Sequence, residues 1–503
     1  MTILIKNIAV IFLLLYSLVG NAQTNKKEEF RGAWIHTVGN QQFKTMSTKE
    51  VKELLLETLD ALEEAGINAV IFQVRPQADA FYISQIEPWS RFLSGEQGKA
   101  PQDIWDPLEF MIAESHKRGM ELHAWCNPYR VTSNKTEQLH PNHLYFKKPE
   151  LFKKYGEQLY FDPGEPESIS HTVKVIADIV SRYNVDAIHF DDYFYPYPIP
   201  FEEFHDDASF TKHSEEQGFE YWEKGDWRRN NVTTLIKALN DTIKAIKPWV
   251  RFGVSPFGIH RNLKDTPDSS GSKTNGLSNY DQLYADVLLW AKNGWIDYNV
   301  PQLYWKIGHP AADYKTLIEW WNKYNPKGHL YIGQSIGTFT EPDLNNPSKT
   351  QFDAKMKLVR ELQNVHGNVW WPGWSVAKNR DGIADSLSKN YQKELALIPA
   401  YKNLDTIPPK PIKKLRYNKG EITWEEDKSK DPMQQAQFYA VYRFPEGVEK
   451  DISNNKYLVK IIDQNKFKLN ENRLKRGSYF YIITAIDRCR NESIESKSLK
   501  IEH

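Results

Sequence analysis

Two adjacent aspartates, Asp191 and Asp192, end an otherwise apolar run in the segment HFDDYFYP, His189 to Pro196. Like charges this close raise the pKa of one member, so a chain places them together at a cost. Successive strand residues point to opposite sides, which sends one carboxyl to the mouth of whatever the strand builds. Where the chain curls at the strand end, both can reach it. Two chemical uses follow. One Asp serves as nucleophile to an oxocarbenium-like centre, with a second carboxyl as acid about 5–5.5 Å away for retention, or farther for inversion. Alternatively, one Asp protonates the leaving oxygen while its neighbour orients a substrate acetamido group that attacks in place of an enzyme nucleophile. The plainer reading is a pair that caps backbone amides and pairs with Arg75 or Arg130. Asp79, just beyond a strand end, is the nearest candidate for a further catalytic acid, with a loop cap as its plain alternative. Glu202 and Glu203 sit in a loop that can swing in, whereas Glu121 and Asp297 begin strands rather than end them.

The other strand ends supply binding groups. Arg75, His123, Trp125, Asn127, Arg130 and His189 stand at or near the ends of early strands, and Tyr193 and Tyr195 follow the aspartates. Gln302, Tyr304, Trp305, Trp371 and Trp374 come from later ones. Carboxamides and guanidiniums hydrogen-bond hydroxyls, and aromatic faces stack on pyranose rings. The histidines His36, His123 and His189 come singly from three strands, without the paired spacing that metal hydrolases use, so no metal or cofactor is expected. No glycine-rich phosphate loop, serine elbow or reactive-cysteine signature appears, and Cys126 reads as a buried core thiol.

Such residues need a frame, and the chain repeats one pattern. Ser47 to Glu50 has capping-box spacing, then Val51, Leu54, Leu55, Leu59 and Leu62 follow at helical intervals. Gly66 stops the helix and NAVIFQV, Asn68 to Val74, reads as a buried strand. The same grammar returns at Asp106-Pro107 through Gly119 to the strand Glu121 to Trp125, and again from Val173 to Asp186–Phe190. Helix, stop, strand is the βα unit of parallel sheets. Eight strands are expected: Phe30–Thr37, Ala69–Pro76, Met120–Asn127, Asp186–Asp192, Arg251–Phe257, Tyr298–Trp305, His329–Gly337 and Asn368–Val376. Eight with helical connections favour a closed (β/α)8 TIM barrel of the α/β class over an open doubly wound sheet, with the site at the strands' C-terminal ends.

The chain has 503 residues, room for such a barrel and an accessory module. The expected organisation is a signal peptide over 1–22, the barrel over 28–400, a proline-rich linker over 401–411 and a small all-β sandwich over 412–503. Lys6, the apolar run Ile8 to Val19 and the small residues Gly20-Asn21-Ala22 read as an export signal, too short to span a bilayer. No cysteine stands near the cleavage point, so lipid attachment is not expected and the protein is placed in the periplasm or outside the cell. Cys126 and Cys489 fall in different domains and are expected as two thiols. Lys+Arg and Asp+Glu number 65 each, so the basic footprint of a nucleic-acid binder is missing.

At its motifs the sequence resembles the glycosyl-hydrolase-like 10 family. The resemblance rests on FRGAW (Phe30 to Trp34), QVRP with Asp79, Ala80 and Tyr82, HAW-NPYR (His123 to Arg130), IHFDDYFYPYP (Ile188 to Pro198), GVSPFGI (Gly253 to Ile259) and PQLYW (Pro301 to Trp305). It covers roughly residues 28 to 395 in order and spacing. It implies a TIM barrel with glycosidase chemistry in the bacterial envelope, on peptidoglycan glycan strands stripped of stem peptides, and it supports the Asp191-Asp192 pair. SYFYIITAIDRCRNES, Ser478 to Ser493, resembles the late strand and loop of fibronectin type III domains, which would make Tyr481 a tyrosine-corner residue and the module a spacer or envelope docking platform. The expected partner is a carbohydrate polymer. Two other readings stand beside it: a glycan-binding barrel without turnover, and a hydrolase of dietary or host polysaccharides.

Overall fold

A computed structural model describes residues 26–343, 349–469 and 476–503. The expected signal peptide lies outside the described residues. Eight parallel strands close a barrel: β1 (Phe30–Ile35), β2 (Ala69–Arg75), β3 (Glu121–Cys126), β4 (Ala187–Phe190), β5 (Arg251–Val254), β6 (Tyr298–Asn299), β7 (His329–Ser335) and β8 (Val365–Trp371). Each strand pairs with its neighbours in sequence, and β8 closes on β1. Along β1, Ala33 and Ile35 pack outward under the helices, while Phe30 and Trp34 turn into the barrel among Ile71, Trp125, Tyr298 and Tyr331. The strand period of two thus separates core from interior.

The helices start where their caps predict. The Ser47 hydroxyl and the Glu50 carboxyl form the reciprocal capping box of helix Thr48–Glu64, which buries Val51, Leu55, Leu59 and Leu62. Asp106 caps helix Pro107–Lys117 through the amides of Leu108 and Glu109. Several strands are shorter than expected, β5 ending at Val254 and β4 spanning Ala187–Phe190, and two more depart from expectation for a local reason. Regular pairing in β6 stops at Asn299, since Pro301 lacks an amide hydrogen, and two bridges at Gln302, to Phe257 and to Gly333, carry the line on toward Trp305. The eighth strand begins earlier than expected and ends at Trp371; Pro372 follows, and Trp374 lies on the short helix Gly373–Ala377.

The C-terminal region forms two antiparallel sheets. One holds three strands, β9 (Lys413–Asn418), β10 (Glu421–Glu425) and β13 (Lys466–Lys468). The other holds β11 (Ala436–Pro445), β12 (Leu458–Ile462), β14 (Ser478–Asp487) and β15 (Leu499–Glu502), in the order β12-β11-β14-β15. Strands β9, β13 and β15 are lysine-bearing edges of the kind that blunt strand addition; β13 and β15 are short, turning only Phe467 and Leu499 with Ile501 inward, and β9 shows no clear apolar alternation. The Tyr481 hydroxyl meets His503 Nε2 at 3.3 Å, rather than backbone a few residues upstream. Both cysteines are free and buried.

These sheets press on the barrel's N-terminal face. Tyr401, at the head of the expected linker, is fully buried, donates its amide to the Cys489 carbonyl and shares a 2.6 Å hydroxyl contact with Tyr331 inside the barrel. Gln437 Nε2 donates to Asp186 Oδ1 at 2.6 Å, and Arg490 pairs with both Glu121 and Asp186. Gly119, with φ +69, ends a barrel helix where a Cβ would fall 2.5 Å from the Ile461 carbonyl oxygen. Only glycine fits both that backbone and that approach. Glu121 and Asp297 sit on this face as expected, the latter paired with Lys244 at 2.7 Å.

Candidate active site

The two aspartates leave β4 together and both are nearly inaccessible, at 3% and 4% exposure. The register of β3 and β4, with Trp125 beside His189, brings the end of β3 alongside them. Trp125 Nε1 donates to Asp191 Oδ2 at 3.0 Å, and Asn127 Nδ2 donates to Oδ1 and Oδ2 at 3.0 and 3.1 Å. Asn127 is itself fixed, because its Oδ1 accepts the amides of Tyr129 and Arg130. Burial raises the pKa of Asp191, against the opposing pull of Arg130, Asn127 and Trp125. Those donors orient an acceptor-only carboxylate.

Asp192 has different company. It accepts from the Tyr197 hydroxyl and from the Gln302 side chain. Burial and the adjacent charge of Asp191 push its pKa up to about 6. Two carboxyls with environments this different are suited to divide the work of acid and anion, the proton being held more strongly where the neighbouring charge adds to burial, at Asp192.

Both open onto a cleft of about 280 Å³ at the C-terminal end of the barrel. Trp34, Trp125, Tyr304 and Trp371 give it aromatic walls, and Arg130, Tyr193, Tyr197, Ser255 and Gln302 give it polar ones. Trp125 and Trp371 meet edge to face with centroids 6.1 Å apart. The Arg130 guanidinium lies 4.7 Å from the centre of the Tyr193 ring, and its Nε and Nη2 donate to the Pro76 carbonyl. Neither Arg75 nor Arg130 forms an ion pair with the aspartates among the described residues.

Of the residues expected to touch substrate, Trp125, Arg130, Tyr193, Gln302, Tyr304 and Trp371 line the cleft with the two aspartates. Others are placed elsewhere. Arg75 is fully buried in a bidentate pair with Glu87, at 2.8 and 2.6 Å, and braces the carbonyls of Asn127 and Pro128. His123 and His189 are sealed inside the barrel below the cleft. Asn127 acts on Asp191 rather than on the open space. Tyr195 packs outward, its ring 5.5 Å from Arg228. Trp305 stacks edge to face on Phe257, and Trp374 donates to the His36 carbonyl. Asp79 does not reach the cleft: it accepts the Gln77 amide at 3.2 Å and faces Gln97 in the loop after β2, where burial raises its pKa to about 6. The loop-cap reading describes it.

Trp34 and Val38, which the strand ends do not single out as binding groups, also line the cleft, and Tyr197 and Ser255, which follow or end barrel strands, join them there. Trp34 was within reach, since alternation along FRGAWI puts it on the same side as Phe30. Tyr197 lies in an irregular turn, where no periodicity tells which way a ring points.

A model of the glycosyl hydrolase-like 10 family matches residues 29–351. Glycosyl hydrolase YngK of Bacillus subtilis (strain 168) is 39% identical over 500 residues, which cover 97% of this chain and 96% of that one. Glycosyl hydrolase DigH of Escherichia coli (strain K12) is 37% identical over 342 residues, 64% of this chain and 76% of that one. Among solved structures, the PgaB (BpsB) glycoside hydrolase domain of Bordetella bronchiseptica aligns with a TM-score of 0.47 at 10% identity, over 73% of this chain and 98% of that one. So loose a likeness adds nothing to what the closed barrel itself establishes.

Proposed function

The chain belongs to the glycosyl hydrolase-like 10 family and is a glycosidase on a (β/α)8 barrel, and from that premise we propose that it cleaves N-acetylated cell-wall glycan, peptidoglycan strands without stem peptides, by substrate-assisted catalysis. The observation that carries the reading is the unequal pair: Asp191 clamped by two donors, Asp192 protonated up to about pH 6, and no other carboxyl among the described cleft residues. A double-displacement enzyme needs a second carboxyl across the sugar. An acetamido group on the substrate removes that need.

In this mechanism Asp192 gives its proton to the glycosidic oxygen as the bond to C1 breaks. The acetamido carbonyl oxygen bonds to C1, and its N–H donates to the Asp191 carboxylate, which stabilises the charge developing on the amide. Asp192, now ionised, takes a proton from water, whose oxygen bonds to C1 and reopens the ring. Trp125 and Asn127 keep Asp191 from turning, and Tyr197 and Gln302 hold Asp192. Trp34, Trp125, Tyr304 and Trp371 suit sugar faces. The N-terminal signal reading supports action in the envelope or outside the cell, and no described helix is long and apolar enough to cross a membrane.

The test is product release by the purified protein from peptide-free peptidoglycan strands, intact peptidoglycan and a neutral polysaccharide mixture, beside Asp191→Asn and Asp192→Asn. Soluble fragments from the first substrate, lost in both variants, are expected. Products from the neutral mixture alone would move the substrate to other polysaccharides. Tight binding without products in the wild type would leave a glycan-binding barrel.

A further inference from the structure

Below the cleft, five buried side chains from four strands touch in series. Trp34 Nε1 contacts His189 Nε2 at 3.1 Å; His189 Nδ1 meets the Tyr298 hydroxyl at 3.0 Å; that hydroxyl meets His123 Nδ1 at 2.8 Å; and His123 Nε2 meets Glu121 Oε2 at 2.6 Å. None of the five is more than 2% exposed, so no solvent competes. Gly253 belongs to this design, because a Cβ there would fall 2.0 Å from Tyr298 Cζ.

The direction of every proton follows from one fact, that an indole nitrogen only donates. Trp34 therefore donates to His189 Nε2, which must be unprotonated. The proton of neutral His189 sits on Nδ1 and is given to the Tyr298 oxygen. Tyr298 then donates to His123 Nδ1, and His123 donates from Nε2 to Glu121. Burial lowers the pKa of both histidines, consistent with neutral rings. At the bottom, the other Glu121 oxygen faces Arg251 Nη2 at 2.6 Å and Arg490 Nε. Burial works against charge on Glu121, and the two guanidiniums outweigh it and hold its carboxyl below the usual carboxylate range.

We propose that Glu121, clamped by Arg251 and by Arg490 in the turn that follows β14, is a positioning residue for the cleft: it fixes the direction of this column and thereby pins Trp34. The accessory domain is then part of the active site's construction, supplying one of the two cations that keep Glu121 an acceptor. The proposal rests on the cleft being where substrate binds.

Glu121→Gln makes the idea specific. Guanidiniums only donate, so the Gln oxygen must face Arg251 and Arg490 and its amide must face His123. His123 then accepts at Nε2 and carries its proton on Nδ1. Tyr298 turns to donate to His189 Nδ1, and the His189 proton moves to Nε2. That nitrogen now donates to Ser255 Oγ, 3.0 Å away, and Trp34 loses its acceptor at the cleft. Adding Tyr298→Phe cuts the column at its centre and frees His189 to accept from Trp34 again.

The experiment combines ¹⁵N NMR of the imidazole nitrogens with steady-state kinetics on the glycan cleaved by the wild type. Wild type is expected to hold His189 as the Nδ1–H and His123 as the Nε2–H tautomer. Glu121→Gln is expected to reverse both and to raise KM about tenfold, with kcat within about threefold. Tyr298→Phe alone is expected to change KM little, and the double variant to resemble Tyr298→Phe rather than Glu121→Gln. A merely structural role predicts a double variant worse than either single one, and that result overturns the proposal. So does His189 found as Nε2–H in the wild type, a reading taken without substrate on a protein that is certain to fold. The tautomers need no turnover, so failure of the substrate assignment leaves them intact.

Discussion

Asp192 and Asp191 are neighbours in sequence, and the proposed mechanism gives them opposite tasks because their surroundings differ. Burial and the charge of Asp191 hold the Asp192 proton up to about pH 6. As general acid it must be protonated, so kcat/KM is expected to fall as the pH rises through about 6, and a flat profile to higher pH would contradict the assignment. The same shift acts on stability. A carboxyl with a raised folded-state pKa contributes stability that is complete below its ordinary value and is lost as the pH rises through about 6. Asp192→Asn is therefore expected to gain about 1–3 kcal/mol over wild type above that pH, and nothing below about pH 4, as measured by thermal or denaturant unfolding across pH. The pair was legible in the sequence because two adjacent acids closing an apolar strand have few cheap explanations. Their separate environments were not, since these depend on Trp125, Asn127, Tyr197 and Gln302, which arrive from other segments.

At the scale of elements, the caps and stops of the βα repeat were readable, and the eight strands fall where the apolar runs lie. Reading past the last regular residue was harder. Trp374 was placed on a strand that ends at Trp371, because WWPGW carries the same aromatic content on both sides of its proline. Arg75 shows the complementary error: a strand-end guanidinium looks like a ligand group until its carboxylate is found twelve positions on, in a loop without periodicity. With Glu87 it forms a sealed pair that ties β2 to that loop and holds the turn after β3 through the carbonyls of Asn127 and Pro128. Arg75→Met leaves the buried Glu87 with His171 Nε2, 2.9 Å away, in place of a bidentate guanidinium, and breaking such a buried pair costs about 3–5 kcal/mol. The variant is expected to unfold at a much lower temperature, while its folded fraction keeps the wild-type KM; a large change in KM with stability intact would return Arg75 to the substrate.

At the scale of the molecule, the barrel and the C-terminal sheets share buried charge rather than a loose tether. Arg490 reaches Glu121 and Asp186, Gln437 reaches Asp186, and Tyr401 joins Tyr331 inside the barrel. A proline-rich stretch reads as a linker from composition, yet composition is silent on the single tyrosine at its head, Tyr401, which is buried by both partners. Calorimetry of the whole chain is expected to show one cooperative transition. Arg490→Ala, which strips a cation from two carboxylates at once, is expected to lower it markedly, and two separate transitions in the wild type would show the sheets to be independent.

In the proposed mechanism the substrate's own acetamido group, oriented by Asp191, attacks the sugar carbon. This step is tested most directly by comparing kcat/KM on peptide-free peptidoglycan strands with kcat/KM on the same strands after chemical removal of the N-acetyl groups. Turnover of the acetylated strands is expected, with a loss of about a thousandfold or more on the deacetylated ones, since among the described residues the cleft has no carboxyl beyond this pair to replace the lost nucleophile. Comparable turnover of both substrates would contradict it and would require an enzyme nucleophile in its place.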